Sequence, residues 1–124
     1  MTPEQKIKHA ILVLMEASLP ETVTADNIDD LYRDITEDSD DYYDAENEFR
    51  SGDVDTDIEA EYSRNYESRS VGAKMPDGSW VGWTYWYGGG KHGSPWEIDW
   101  MGKAYDLNMV EETKTIVVKT FTKA

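Results

Sequence analysis

Between Glu21 and Glu61 the chain carries 17 acidic residues and only two basic ones, Arg33 and Arg50, while the other 83 residues hold nine acids and ten bases. The whole net charge of −14 therefore sits in one contiguous block. Like charges at that density weaken a compact state, and they repel nucleic acid and anionic lipid alike. Whatever elements this block forms, its carboxylates have to fall outside the apolar stripe that packs.

The rest of the chain can supply a core. Five Trp and eight Tyr stand among the 124 residues, and each buried aromatic removes about 150–250 Å² from water. Acidic disordered chains lack such residues. The length suits one domain over 1–124, helical and acidic over 1–52 and β-rich and aromatic over 53–124. Cysteine is absent, so no disulfide staple is available and the expected compartment is the cytoplasm. The apolar run Ala10 to Met15 is too short for a signal sequence, and no stretch approaches a membrane span.

Thr2, Pro3 and Gln5 form a capping box, and Ile7, Ile11, Leu14 and Met15 continue it as a helix that runs towards Pro20. Leu12 and Val13 widen its apolar face. A second helix begins at Thr24, with Ile28, Leu31, Tyr32 and Ile35 as its stripe and Asp26, Asp29, Asp30 and Asp34 on the remaining surface. A third spans Ser39 to Arg50 on Tyr42, Ala45, Glu46 and Phe49, and Ser51-Gly52 ends it. Asp53, Asp55, Asp57, Glu59 and Glu61 then alternate with Val54, Thr56, Ile58, Ala60 and Tyr62. That period predicts a half-buried strand with its carboxylates on one face.

The remainder reads as sheet. A strand leads from Tyr66 to Met75, the turn Pro76-Asp77-Gly78-Ser79 reverses it, and Trp80 to Tyr87 returns. Ala104 to Glu112 and Thr113 to Lys123 read as a closing hairpin. A second capping box, Ser94-Pro95-Trp96-Glu97, opens a short helix to Gly102 on which Trp96 and Trp100 stack. The fold class is α+β: two or three helices packed on an antiparallel sheet of about four strands, with one short inserted helix.

Motifs for chemistry are missing. Gly88-Gly89-Gly90-Lys91-His92-Gly93 lacks the spacing of a nucleotide-binding loop, with His92 where a hydroxyl belongs. Asp53-x-Asp55-x-Asp57 opens like an EF-hand loop, but Ile58 stands at the glycine position and Arg64 at the bidentate glutamate. Without Cys, only His9 and His92 could act as near-neutral bases, and His92 with Glu97 and Asp99 is the one conceivable acid–base cluster. No enzyme, cofactor or metal site is expected.

The acids themselves are the better candidate. Alternate side chains on a strand stand about 6.6 Å apart, and the acids of the second helix about 5–12 Å apart along its axis. Those spacings approach the phosphate spacing of duplex DNA. The expected binding set is Asp26, Asp29, Asp30, Asp34, Glu37, Asp38, Asp40, Asp41, Asp44, Asp53, Asp55, Asp57 and Glu59, with Tyr42 and Tyr43 as amphipathic anchors. The alternative site is the glycine loop with Lys91 and His92 beside a Trp-rich surface, the acids then only solubilising the chain.

A short, cysteine-free chain with its negative charge gathered on helices and one strand resembles the DNA-mimic inhibitors that phages and mobile elements direct against restriction and CRISPR systems. Trp83 to Gly93, together with Ile98 to Met101, is similar to a segment of small phage-encoded proteins and covers about an eighth of the chain. The near-neutral C-terminal half departs from mimics that are acidic throughout. The resemblance implies a non-enzymatic inhibitor in the host cytoplasm. Its partner would be a basic, nucleic-acid-binding defence nuclease or complex, with no nucleic acid or membrane bound directly.

Overall fold

Three helices come first and a four-stranded antiparallel sheet follows, in a computed structural model that describes residues 1–89 and 93–124. This is the α+β arrangement the sequence implies. Helix α1 (Pro3–Leu14) opens on the expected capping box: Gln5 N donates to Thr2 Oγ1 at 3.2 Å, and Thr2 N to Gln5 Oε1 at 2.9 Å. It ends well before Pro20. Glu16 turns left-handed at φ 56°, and its N–H reaches Val13 O while that of Ala17 reaches Leu12 O at 3.1 Å. These bonds satisfy the last carbonyls of the helix and close it. Leu14, expected in the stripe, is exposed, and Ala10 takes the core position beside Ile7 and Ile11.

Helix α2 (Ile28–Thr36) starts one turn later than expected because Asn27 ties the preceding segment into its own turn. Asn27 Oδ1 accepts from Thr24 N at 2.8 Å, and its Nδ2 donates to Thr22 O at 2.9 Å. Helix α3 (Tyr42–Arg50) also starts late, and Ser51-Gly52 ends it as expected. Gly52 has φ +74°, and a Cβ there would stand 2.6 Å from Val71 Cβ, so both backbone and space require glycine. Among the described residues no helix is long and apolar enough to cross a membrane.

The sheet is a meander, β1 (Val54–Asp55), β2 (Glu67–Lys74), β3 (Trp80–Tyr87) and β4 (Tyr105–Leu107), in that order. β2 and β3 are joined by the predicted turn, where Gly78 has φ +88° and Asp77 Oδ1 accepts from both N and Oγ of Ser79. Their register pairs Val71 with Trp83 and Ala73 with Val81, and these four face the helices in the core with Ile7, Ala10 and Ile11. Trp83, fully buried, stacks on Phe49 at 5.4 Å and meets Trp100 at 5.4 Å. On the other face Gly72 pairs with Gly82, and Leu107 leans over both, within 2.8–3.0 Å of where either Cβ would stand.

Three expectations fail. The strand over 53–62 shrinks to Val54–Asp55, and Val54 and Ile58, which should have been its buried side, are exposed. The closing hairpin over 104–123 shrinks to Tyr105–Leu107, and no strand forms beyond it. From Met109 to Ala124 there is no Gly, Pro, Asn, Asp or Ser to make a turn. The inserted helix is a single 3-10 turn, Pro95–Glu97, with no side-chain cap from Ser94. Asp99 accepts from Gly102 N at 2.9 Å and so competes with helix there. Trp100 then turns inward to Trp83 while Trp96 is exposed, so the two do not stack.

Candidate partner-binding surface

Helix α2 carries Asp29, Asp30 and Asp34 on its outer side because Ile28, Leu31, Tyr32 and Ile35 take the inner one. Asp26 stands exposed just before it. Asp29 is drawn against α1: Lys8 donates to it at 3.0 Å and Gln5 at 3.2 Å, and these bonds hold its carboxyl below the ordinary carboxylate range. Arg33 lies 3.3 Å from an oxygen of both Asp30 and Asp34.

Beyond α2 the counterions stop. Among the described residues no ion pair reaches Glu37, Asp38, Asp40, Asp41 or Asp44, and all five are exposed. Asp41 stands at the N-cap of α3, yet its carboxylate caps nothing. The two expected anchors differ in burial. Tyr42 is half-buried, accepts from Tyr32 OH at 2.7 Å, and meets that ring edge-on at 5.7 Å. Burial pushes both phenols up, so both stay neutral and tie α2 to α3. Tyr43 is 70% exposed among the carboxylates, its ring tilted 5.5 Å from that of Tyr42.

Asp44 lies in the first turn of α3, and the six helical residues after it, about 9 Å of helix, separate this group from the acids at the sheet edge. Asp53 N donates to Gly72 O at 2.9 Å and Thr56 N to Ser70 O at 3.0 Å, which keeps Asp53, just before β1, and Asp55, on it, beside β2. Asp55 is 3.7 Å from Arg69. Asp57 and Glu59 lie past the strand, exposed and without an ion pair among the described residues. The regular carboxylate ladder expected over 53–61 is therefore absent beyond β1. A surface band remains, densest at 37–44.

The alternative site is largely dispersed. Trp83, Trp86 and Trp100 are buried, leaving Trp96 as the exposed ring of the four, at 56%. Lys91 and His92 lie outside the described residues. His9 borders a cavity of about 410 Å³ that Lys6, Thr24, Met75 and Asp77 also line. Burial pushes its imidazole down while Asp77 opposes. No hydrogen bond joins the two side chains, and among the described residues no three His, Asp or Glu form a metal-holding group.

Sequence reasoning missed what positions the surface. Arg50, counted there as a cation of the acidic block, is buried: Nη1 donates to Trp86 O at 2.6 Å and the guanidinium sits 4.9 Å over the Tyr85 ring. Trp83 Nε1 donates back to Arg50 O at 2.8 Å. This exchange fastens the end of α3 to β3. Arg33 is thus the one surface cation inside the block. Comparison with protein-family models, curated proteins and solved structures finds no match to this chain.

Proposed function

We propose that this chain is a non-enzymatic inhibitor whose acidic band occupies the nucleic-acid-binding surface of a basic partner, as a DNA mimic does. The observation that carries the reading is the run of five exposed carboxylates, Glu37, Asp38, Asp40, Asp41 and Asp44, that have no ion pair among the described residues and stand around exposed Tyr43. Carboxylates without counterions on the same chain are open to a partner's Lys and Arg, and their field steers encounter. Tyr43 adds an amphipathic ring suited to the centre of such a contact. Acids at this density disfavour nucleic acid and anionic membranes as direct ligands. The resemblance to phage and mobile-element inhibitors adds a defence nuclease or complex in the host cytoplasm as the partner class.

The test isolates partners from bacterial lysate at low salt, then measures binding by surface plasmon resonance against salt and competing duplex DNA. Single Asp→Asn changes should cost little, since exposed pairs are worth about 0.2–1 kcal/mol. Joint change of Asp40, Asp41 and Asp44 to Asn should lower the on-rate and flatten the salt dependence, and Asp53, Asp55 and Asp57 to Asn should do so less. Salt-insensitive binding that survives both triples, or micromolar binding of DNA to the chain itself, overturns the reading. Exposed Trp96 favours a second reading, recognition through that ring and the glycine loop. Under it, Lys91→Ala with His92→Ala abolishes binding and the Asn triples change nothing.

A further inference from the structure

The segment after β4 has the makings of a strand and no strand to pair with. Thr113 to Lys123 alternates Ile116 and Val118 with Val117 and Phe121, and these four side chains are 78–89% exposed. An uncovered, β-branched, apolar segment of this kind seeks a sheet edge. β4, three residues long, is one of the two edge strands of the sheet, β1 being the other. From β4 a groove of about 440 Å³ runs across the sheet face towards β1, lined by Val54, Ile58, Trp80 and Leu107 and by the carboxylates Asp57 and Glu111.

Charge and chain path say what fills it. Residues 113–124 carry three lysines and no acid, so the preceding 112 residues hold −17 of the −14 total. A basic apolar strand thus complements an acid-flanked apolar groove. Asn108, Met109 and Glu111 themselves line that groove, so the chain has already passed it when the apolar segment begins. Asn108 is the one turn former after β4, and residues 109–112, which would have to complete the reversal before the apolar segment, hold none, so a tight return to the chain's own β4 is disfavoured. A second copy offers the same groove and edge and needs the same cover, so one exchange serves both under two-fold symmetry.

We propose that residues 113–123 of one copy add as a strand to the β4 edge of a second copy, seating Val117 and Phe121 in its groove, in a reciprocally exchanged dimer. The acidic band is not part of this contact, and the inference does not rest on the proposed function.

Light scattering at about 100 µM, where a dimer of micromolar affinity is populated, should give twice the chain mass. Truncation after Glu112 should give the monomer mass, as should the full chain with Val117→Asp and Phe121→Asp. The latter pair is exposed in the single chain and leaves its core untouched. Because the chain has no cysteine, a tagged Ile58→Cys copy mixed with an untagged Val117→Cys copy should oxidise to a mixed disulfide dimer. A monomer throughout, a dimer that survives both changes, or a mixture of the two single-cysteine copies that gives no mixed disulfide overturns the proposal.

Discussion

Arg50 sits in the acidic block without an acid holding it: its bonds go to Trp86 O and the Tyr85 ring, and burial lowers its pKa against the opposing pull of Tyr85 and Glu46. A buried guanidinium is costly unless satisfied, and here Nε has no partner among the described residues. The bond from Nη1 therefore has to be strong. Arg50→Met keeps the bulk and removes the donors, and it should cost about 1.5–3 kcal/mol, the range for a hydrogen bond to a charged group. Arg50→Lys should recover part of that, since an ammonium can reach Trp86 O but does not stack flat on Tyr85. Urea unfolding of both variants checks the order. Equal stability of Arg50→Met and the parent would show that the guanidinium is no tie. The role had a faint trace in the sequence: Arg50 lies four residues after Glu46, on the edge of the stripe that Tyr42, Ala45 and Phe49 define. Charge counting hid it, because a cation among 17 acids reads as a counterion.

At the level of elements, most local signals were legible and signals that need a distant partner were not; the Ser94 box is the local exception, because Ser94 caps nothing and Asp99 bonds Gly102 N instead of continuing the helix. The Thr2 box, the Ser51-Gly52 stop and the Pro76–Ser79 turn each depend on residues within four positions, and all three form. The alternations over 53–62 and 113–123 needed neighbouring strands, and the sheet gives the first two paired residues and the second none. The acidic set was read correctly as exposed, but its supposed ladder depended on the strand that failed. The end of α1 is another local signal, written in the wrong residue. Glu16 occupies the left-handed position that glycine usually fills, and it sets a negative charge on the negative end of the helix. Glu16→Gly should stabilise by about 0.5–1.5 kcal/mol, from relief of the Cβ clash and of the dipole repulsion. Glu16→Asn should gain less. Glu16→Ala, which removes the charge and keeps Cβ, should gain least. Thermal melts of the three establish the ranking, and a destabilised Glu16→Gly would refute the account.

For the whole molecule the acidic band pulls in two directions, and salt separates them. Within the chain the carboxylates repel one another, and few cations answer: Lys8 and Arg33 hold three of the acids on α2, and Glu37 to Asp44 have no ion pair among the described residues. Between chains, under the proposed function, the same carboxylates attract a basic surface. Raising sodium chloride from about 0.01 to about 1 M shortens the screening length from about 30 to about 3 Å. It should therefore raise Tm while it weakens the complex. The exposed ion pairs work against the rise, but each is worth only about 0.2–1 kcal/mol, and they are outnumbered by the acids along 37–44 and, Asp55 apart, along 53–59 that have no ion pair among the described residues. Relief of about 1 kcal/mol would lift Tm by roughly 3–6 °C for a chain of this size. Chloride is the right salt, because sulfate strengthens apolar burial in any protein and would raise Tm regardless. Protein concentration has to be fixed, since an exchanged dimer makes Tm depend on it. The triple change of Asp40, Asp41 and Asp44 to Asn gives the internal control: it should raise Tm at low salt and shrink the further rise at high salt, because the repulsion that salt screens has already been removed. A Tm that falls with chloride in the parent, or a triple variant with the parent's full salt response, would mean that this band is not a seat of stored repulsion, and its exposure would then need a different explanation from the one given by charge.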